Sequence, residues 1–322
     1  MLSNLHNAGM PPSRLGMGCE PLGGSDWGSV DIAEARRAVR RALDVGITVF
    51  DTADVYGLGR GETELGGALG DDRHSAFIIT KFGVRWDSEG NEGRARTFRD
   101  SSPAYIIGAL EDSLRRLRVE AIPLYLVHWP DTSVPLSETL DCLEGERQKG
   151  KILNFGLSNF EASDVEQSIK SHNVAAVEGS YSLIDSLHSR DMFSCARKGG
   201  IATFAYGPLG QGLLTGKYTK DSVFGPDDRR HRLPQFSGSR WQQNKTLLEQ
   251  LEIVAKHHGH TVSQTAIRWV LDSDLIDTVI VGAKSEKQID DNAGALLWEI
   301  ADDERKNLEL YGARAEMAAD KK

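Results

Sequence analysis

The chain of 322 residues is poor in cysteine and has no long apolar run. Its three cysteines, Cys19, Cys142 and Cys195, lie far apart and form no CxxC pair. This spacing argues against a thiolate metal site and a disulfide framework, and it favours a reducing compartment. No stretch of about 18 apolar residues is present, and the N-terminal residues lack a basic region followed by an apolar one. We therefore predict a cytoplasmic protein with no membrane partner.

Positive charge is also scarce. The formal net charge is -9 at pH 7, and no run of lysine or arginine exceeds two residues. Such a chain repels a polyanionic backbone, so we predict no nucleic-acid partner. The composition, with 39% hydrophobic and 26% charged residues, is ordinary for a folded protein with a large core. The oligomeric state is left open by these features.

A dinucleotide fingerprint of the form GxGxxG is absent after the first β-type run, because the nearby glycines have other spacings. This absence disfavours an open, doubly wound sheet. What the chain does have is a regular alternation of β-type runs with helical segments. The eight β-type runs span residues 14–19, 48–51, 76–81, 124–128, 152–157, 175–178, 201–206 and 277–282. Eight such units without a break in composition predict an α/β fold of the (β/α)8 TIM barrel type.

The chain is predicted to form one domain over residues 1–322, with a barrel core at about 14–297 and a C-terminal extension at 298–322. Residues 218–239, rich in Asp, Arg, Pro and Gly, predict an extended mobile loop over the barrel mouth between the seventh and eighth barrel strands. A helix from about 240 to 257 should follow that loop. One more helix is expected after Ile300, fraying beyond Ala313.

Several helix boundaries can be predicted from local signals. Ser102 before Pro103 has the pattern of an N-cap followed by the first helical residue. Two pairs have the spacing of a capping box, Thr261 with Gln264 and Ser285 with Gln288. Gly46 is expected to end the helix that begins after Asp31.

Polar residues follow three of the apolar runs at the point where each predicted strand ends. They are Asp51 and Tyr56, Lys81, and His128. Because the carboxyl ends of the strands meet at one face of a barrel, we expect an acid, a phenol, an amine and an imidazole to converge there. Taken singly, each has a structural alternative such as packing or an ordinary ion pair. Their joint placement favours a catalytic site.

The segments that carry these residues resemble conserved segments of a known family. VFDTADVYG at 49–57, ITKFG at 79–83, LVHWPD at 126–131 and GLSNF at 156–160 resemble the aldo-keto reductase superfamily. The similarity is closest to the broad bacterial group that also resembles the potassium-channel β subunits. The resemblance implies a nicotinamide cofactor and hydride transfer between that cofactor and a carbonyl or alcohol carbon, with reduction as the favoured direction.

The chemistry of the four side chains agrees with that implication. A phenol with a pKa near 10 is a reluctant proton donor or acceptor at neutral pH, so Tyr56 needs a cationic neighbour as general acid. We expect Lys81 to lower the pKa of Tyr56 and Asp51 to anchor Lys81. His128 should donate a second hydrogen bond to the substrate oxygen.

The resemblance also implies the cofactor contacts. Ser158 and Asn159 would contact the nicotinamide carboxamide, and Tyr206 would stack on its ring, unless it is simply a core aromatic. Glu178 stands where the family usually has glutamine, and an ionised carboxylate can accept from the carboxamide but cannot donate to it. The remaining positions implied for the diphosphate and adenosine are Gly207, Leu209, Gln211, Gly212, Gly282, Lys284, Ser285, Gln288 and Asn292.

A helix N-terminus at Ser285 beside Lys284 is a suitable anion site on physical grounds alone, although Ser285 and Gln288 could instead merely cap the helix. Relatives often have arginine in place of Lys284, and lysine loses the bidentate phosphate geometry. We predict NADPH as the cofactor, with NADH as an alternative.

The substrate pocket is predicted to involve Trp27, Trp86 and Trp129, which come from loops after the first, third and fourth strands and could otherwise pack against each other. The HHGH segment at 257–260 could suggest a metal, but the sequence shows no carboxylate or cysteine partner, so no metal site is predicted. Two alternative functions remain. One is a sugar-directed enzyme, either an aldose dehydrogenase or a reductase of a nucleotide-linked ketosugar. The other is a non-catalytic regulatory subunit that holds the cofactor.

Overall fold

The computed structural model describes residues 1–5, 11–89 and 95–317. Ten strands lie in these ranges, and eight of them are parallel and close into a barrel in the order β1-β2-β3-β6-β7-β8-β9-β10. In chain order the strands are β1 (Leu15–Gly18), β2 (Val49–Asp51), β3 (Phe77–Phe82), β4 (Val84–Glu89), β5 (Ala95–Arg99), β6 (Ile122–Val127), β7 (Ile152–Ser158), β8 (Ala176–Ser180), β9 (Ala202–Tyr206) and β10 (Thr278–Gly282). The predicted single-domain (β/α)8 barrel is confirmed.

Helices surround the barrel and connect its strands. Within the same ranges they are α1 (Ile32–Asp44), α2 (Arg60–Leu69), α3 (Pro103–Leu117), α4 (Leu136–Gln148), α5 (Ala162–Ser171), α6 (Leu187–Gly199), α7 (Gly238–His258), α8 (Val262–Leu271), α9 (Glu286–Gly294) and α10 (Asp302–Met317). None of these helices is long and apolar enough to cross a bilayer.

The eight predicted β-type runs agree with the barrel strands to within two residues at each end. The pair β4 and β5 was not predicted. They form an antiparallel hairpin after β3, in which Val84 pairs with Arg99 and Trp86 with Thr97. Much of this hairpin is exposed or half-buried, so its sequence has no apolar run of the kind that marked the barrel strands.

Most predicted helix boundaries are confirmed. Ser102 caps α3 by accepting from the backbone N–H of Tyr105 at 3.4 Å, and both halves of the Thr261 capping box are present. Gly46 follows α1 with φ of +83°. Ser285 caps α9, but the Gln288 side chain accepts from the backbone N–H of Lys284 at 2.7 Å rather than from that of Ser285, so only half of this box forms.

The segment between β9 and α7 is longer and more ordered than a plain loop. It contains short 3-10 turns at Gly210–Thr215, Arg229–Arg232 and Pro234–Phe236. A small apolar cluster of Leu213, Phe236 and Trp241 packs it in place. At the C-terminus α10 continues to Met317, so the expected fraying after Ala313 is wrong. Residues 318–322 of the predicted extension lie outside the described ranges.

Side-chain alternation along the strands explains how the barrel carries a polar face. An apolar cluster fills the barrel interior, and Phe77 and Phe204 stack inside it with ring centroids 6.3 Å apart. Successive side chains of a strand point to opposite sides of the sheet. The residue two positions after an inward-pointing apolar residue therefore also points inward. At the carboxyl ends of the strands the next inward positions are Asp51, Lys81, His128, Ser158, Glu178 and Tyr206.

The loop that carries Tyr56 is fixed by a close backbone contact. Gly57 has φ of +59°, and a Cβ atom on it would lie 2.2 Å from the carbonyl oxygen of Gly23. Only glycine fits a position that is both left-handed and in contact with another backbone. The loop after β1 therefore holds the residue that follows Tyr56.

We expect Gly57→Ala to destabilise the fold by about 3 kcal/mol, because backbone strain and a backbone clash act together. Gly46→Ala is the matched control, since Gly46 has the same sign of φ but a Cβ there meets no atom within 4 Å. That variant should lose only about 1 kcal/mol. Urea unfolding measures both, and equal losses would show that the contact with Gly23 does not constrain the loop.

Candidate active site

A buried lysine lies at the centre of the polar face. The Lys81 ammonium forms an ion pair with Asp51 and donates to the backbone carbonyl of Thr52 at 3.1 Å. Its Nζ atom lies 3.3 Å from Oε1 of Glu178 on β8. Only 1% of the Lys81 side chain is exposed. One buried cation is thus shared by two carboxyl groups.

Burial and charge set the protonation of this cluster. Burial lowers the pKa of Lys81, but the charges of Asp51 and Glu178 outweigh it and hold that pKa well above its ordinary value. Burial, followed by repulsion from Asp51, raises the pKa of Glu178 to about 8. Burial also raises the pKa of Asp51, and Lys81 offsets part of that rise. Because the pKa of Glu178 is raised to about 8, we assign the surplus proton of this cluster to Glu178 near pH 7.

Tyr56 lies against this cluster. The Lys81 Nζ atom is 5.6 Å from the centroid of the Tyr56 ring. Burial raises the pKa of Tyr56 well above its ordinary value, and the charge of Lys81 only partly opposes the rise. The expected lowering by Lys81 is present, but the loss of solvent is the larger effect, so the pKa of Tyr56 is raised overall. The hydroxyl of Tyr56 is protonated at neutral pH.

His128 completes the group from the end of β6. Its ring meets the Tyr56 ring edge to face, with centroids 5.9 Å apart. Burial, followed by the charges of Lys81 and Arg99, holds the pKa of His128 well below its ordinary value. The imidazole is consequently neutral, and it carries one N–H that can be donated. The structure thus brings together all four residues predicted for catalysis.

A hydrogen-bonded chain continues this face across β7, β8 and β9. Ser158 donates to Oε1 of Glu178 at 3.4 Å, and Asn159 donates to Ser158 at 3.0 Å. The Tyr206 hydroxyl donates to Oδ1 of Asn159 at 2.7 Å. Asn159 has φ of +64°, an uncommon conformation that is often found at functional sites. The second carboxylate oxygen of Glu178 is buried without a hydrogen-bond partner.

The positions implied for the diphosphate surround the ends of β9 and β10. Gly207, Leu209 and Gly212 follow β9, and Gln211 between them has φ of +53°. A Cβ on Gly207 or on Gly282 would meet no atom within 4 Å, so the backbone there borders open space. This opening, together with the unpartnered Glu178 oxygen, fits a nicotinamide dinucleotide.

The other implied positions lie along α9: Lys284, Ser285 and Gln288 at its N-terminus and Asn292 in its last turn. Lys284 donates through Nζ to the backbone carbonyl of Trp27 at 2.6 Å. Ser285 and Gln288 make the capping contacts described above, so the alternative that they cap the helix is realised in the structure. Asn292 is buried on the inner side of α9.

A segment that we call the mouth strap, residues 225–232, crosses to the loop after β1. Trp27 forms a β-bridge with Asp228, and the backbone N–H of Arg229 donates to the carbonyl of Asp26 at 2.9 Å. Arg229 lies over the Trp27 ring at 5.0 Å and pairs with Glu20 and Asp26. The sequence placed a loop over the mouth, but it gave no periodic signal that would select these residues.

The other two tryptophans come after β3 and after β6 along the chain. Trp129 is 36% exposed, and its ring lies beside that of His128 with centroids 6.2 Å apart. Trp86 belongs to strand β4 rather than to a loop, which corrects the predicted placement. Arg229 and Arg230 of the mouth strap lie over the Trp27 ring, at 5.0 and 5.7 Å.

The sequence of this chain is similar to those of known proteins. The model of the Aldo/keto reductase family matches residues 14–310. This chain belongs to that family. Among similar proteins, the aldo-keto reductase YhdN of Bacillus subtilis is 31% identical over 95% of this chain and 92% of its own length. The NADH-specific methylglyoxal reductase of Escherichia coli is 30% identical over 90% and 91%.

Solved structures of other aldo-keto reductases are similar to this aldo-keto reductase. The glycerol dehydrogenase AKR11B4 from Gluconobacter oxydans superposes with a TM-score of 0.88 and 34% identity, covering 98% of this chain and 97% of that one. The holo form of aldo-keto reductase AKR11C1 from Bacillus halodurans gives 0.75 and 27%, with 95% of each chain covered. The predicted family and the assignment as an oxidoreductase are confirmed.

The histidine segment of this aldo-keto reductase has a carboxylate partner after all. His257 Nδ1 and His258 Nε2 each lie 2.7 Å from one oxygen of Glu304 on α10. The sequence-based expectation that no carboxylate partners these histidines is therefore wrong. The partner is more than forty positions away and comes close only because α10 packs on α7.

Glu178→Gln tests the protonation of the buried cluster through stability. A carboxyl whose pKa is higher in the folded state stabilises the fold below its unfolded pKa, and that contribution is lost as the pH rises towards about 8. Glutamine does not titrate. The melting temperature of the variant minus that of the wild type should therefore increase by about 2–4 °C between pH 5 and pH 9.

Glu252→Gln is the control, because Glu252 is an exposed carboxylate on α7 that pairs with Lys256. The difference in melting temperature between Glu252→Gln and the wild type should stay constant between pH 5 and pH 9. A flat difference for Glu178→Gln as well would contradict the assignment of the surplus proton to Glu178.

Proposed function

We propose that this protein reduces an aldehyde or ketone to the alcohol with NAD(P)H, in the cytoplasm, and that Tyr56 is the proton donor. The observation that carries the proposal is the convergence of Asp51, Tyr56, Lys81 and His128 at the carboxyl ends of neighbouring strands. Carbonyl reduction requires a hydride at carbon and a proton at oxygen, and the bound nicotinamide supplies the hydride. The free thiols of the three cysteines fit a reducing compartment.

Each of the four side chains has a separate role in protonating the substrate oxygen. The neutral His128 donates its N–H to the carbonyl oxygen and polarises the C=O bond. Tyr56, kept protonated by burial, gives its proton to the oxygen as negative charge develops there. Its O–H bond breaks, the alcohol O–H bond forms, and Lys81 stabilises the phenolate that is left. Asp51 holds Lys81 in position, and a proton from solvent restores Tyr56.

The names of two similar proteins indicate which substrates to consider. The methylglyoxal reductase is a carbonyl reductase, which supports the proposed direction. The glycerol dehydrogenase acts on a polyol, which favours a sugar-directed enzyme as the second candidate. A regulatory subunit without turnover is disfavoured by the complete catalytic group. Trp129, which lies beside His128, and Trp86 on β4 are the proposed substrate walls.

Tyr56→Phe should lower kcat for aldehyde reduction by about two to four orders of magnitude, because it removes the positioned proton donor. Binding of NADPH, followed by quenching of tryptophan fluorescence, should be unchanged. Tyr311→Phe on α10 is the control and should keep wild-type turnover. Full activity in Tyr56→Phe would refute the role of Tyr56, whereas a wild type that binds NADPH without turnover would support the regulatory alternative.

NADPH is the proposed preferred donor because positive charge collects beside α9. Burial lowers the pKa of Lys284, and the charges of Arg230 and Lys217 lower it further, although Asp228 opposes them. Such a group of cations at a helix N-terminus suits the extra phosphate that distinguishes NADPH from NADH.

Lys284→Gln should therefore raise the Kd for NADPH about tenfold and change that for NADH less than twofold. Lys287→Gln, an exposed lysine on the same helix, is the control. Fluorescence titration gives all six constants. An equal loss for both cofactors would show that Lys284 acts on something other than the extra phosphate.

A further inference from the structure

An arginine that sequence analysis did not select lies at the end of the β4–β5 hairpin. Arg99 pairs with Val84 across the hairpin, and Trp86 pairs with Thr97 two positions along. Residues paired in this way share one face of a hairpin. Val84 on this face is buried, whereas Arg99 and Thr97 are exposed, so the Arg99 side chain is accessible to a ligand. Arg96 and Phe98 point to the other side.

Arg99 extends the row of rings that begins at Tyr56. Its guanidinium lies over the Trp129 ring at 5.0 Å, and Trp129 lies beside His128, which meets Tyr56. The charge of Arg99 contributes to the lowered pKa of His128. Arg99 is thus close enough to act on the catalytic imidazole, with one aromatic side chain between them.

Other arginines around the mouth are neutralised by carboxylates. Arg229 pairs with Glu20 and Asp26, Arg230 with Asp228, and Arg85 with Asp100 at 3.1 Å. Arg99, by contrast, makes no hydrogen bond or ion pair with any residue in 1–5, 11–89 or 95–317.

The nearby carboxylate whose charge affects the pKa of Arg99 is that of Asp131. This carboxylate already accepts hydrogen bonds from other residues. Asp131 accepts from the backbone N–H of Ser101 at 2.8 Å and from the backbone and hydroxyl of Ser133 at 2.9 and 2.6 Å. An arginine stacked on an indole still has the N–H donors along its edge available. These donors match a planar carboxylate or a phosphate.

We propose that Arg99 binds an anionic group of the substrate, so that the enzyme prefers carbonyl compounds that also carry a carboxylate or a similar anion. The carbonyl lies at Tyr56 and His128, the anion lies at Arg99, and a short chain or a ring between them packs on Trp129 and Trp86. This inference rests on the proposed carbonyl reduction and names its substrate class. Because the net charge of the chain is -9, binding of an anionic substrate requires a local cation such as Arg99.

A matched pair of aldehydes tests it. Wild type and Arg99→Gln are assayed with 4-formylbenzoate and with its neutral methyl ester. The ratio of kcat/KM for the acid to that for the ester should fall about tenfold or more in the variant, mainly through KM for the acid. Taking the ratio removes differences in the intrinsic reactivity of the two carbonyls. Arg99→Lys should retain part of the preference because the charge remains.

Arg96→Gln is the control, since Arg96 lies on the same strand with its guanidinium over Phe98, on the opposite face. It should leave the ratio unchanged. Equal losses on acid and ester in Arg99→Gln, or no loss on either, would overturn the inference.

A binding measurement separates this inference from the proposed function. Calorimetric titration of the protein with 4-formylbenzoate needs no turnover. If the wild type reduced neither aldehyde, the proposed reduction would fail, and the Arg99 inference would still be decided by the Kd. Weaker binding to Arg99→Gln than to Arg96→Gln would support it, and equal Kd values would refute it.

Discussion

The site depends on one buried contact, the Lys81 ammonium between the carboxyl groups of Asp51 and Glu178. A buried ammonium without a carboxylate partner would be strongly unfavourable. If either carboxyl were removed, the other alone would have to balance the charge of Lys81. Two carboxyls against one ammonium leave one negative charge too many, and a proton on Glu178 removes it. The electrostatic field at the Tyr56 hydroxyl therefore depends on a residue that touches neither Tyr56 nor the substrate oxygen. In a relative with glutamine at this position the field would not depend on pH in this way.

The barrel supplies this contact through strand geometry. Val49 and Asp51 are consecutive inward positions of β2, and Phe77, Ile79 and Lys81 are those of β3. The apolar members fill the interior, and the polar members end the rows at the mouth. The same alternation thus builds the core and places Asp51 and Lys81 at the mouth of the barrel.

The sequence was sufficient for the features that depend on local pattern. The eight barrel strands and the convergence of Asp51, Tyr56, Lys81 and His128 were predictable because apolar runs end in polar residues. The unusual Glu178 was visible against the family pattern. The hairpin that carries Arg99 was missed because it is partly exposed. Glu304 was missed because it is distant in the chain from the histidines it contacts. The net direction of the Tyr56 pKa also could not be predicted, since it depends on how far burial outweighs the charge of Lys81.

The mouth strap is attached in a different way from the rest of the structure. Its contacts to the loop after β1 include backbone hydrogen bonds, the stacking of Arg229 on Trp27, and the ion pairs of Arg229 and Arg232 with Glu20 and Asp26. Dissolved ions screen such pairs when they are partly exposed, whereas they hardly affect apolar packing. Raising the ionic strength therefore weakens these ion pairs, whereas it leaves the apolar packing of the barrel interior almost unchanged.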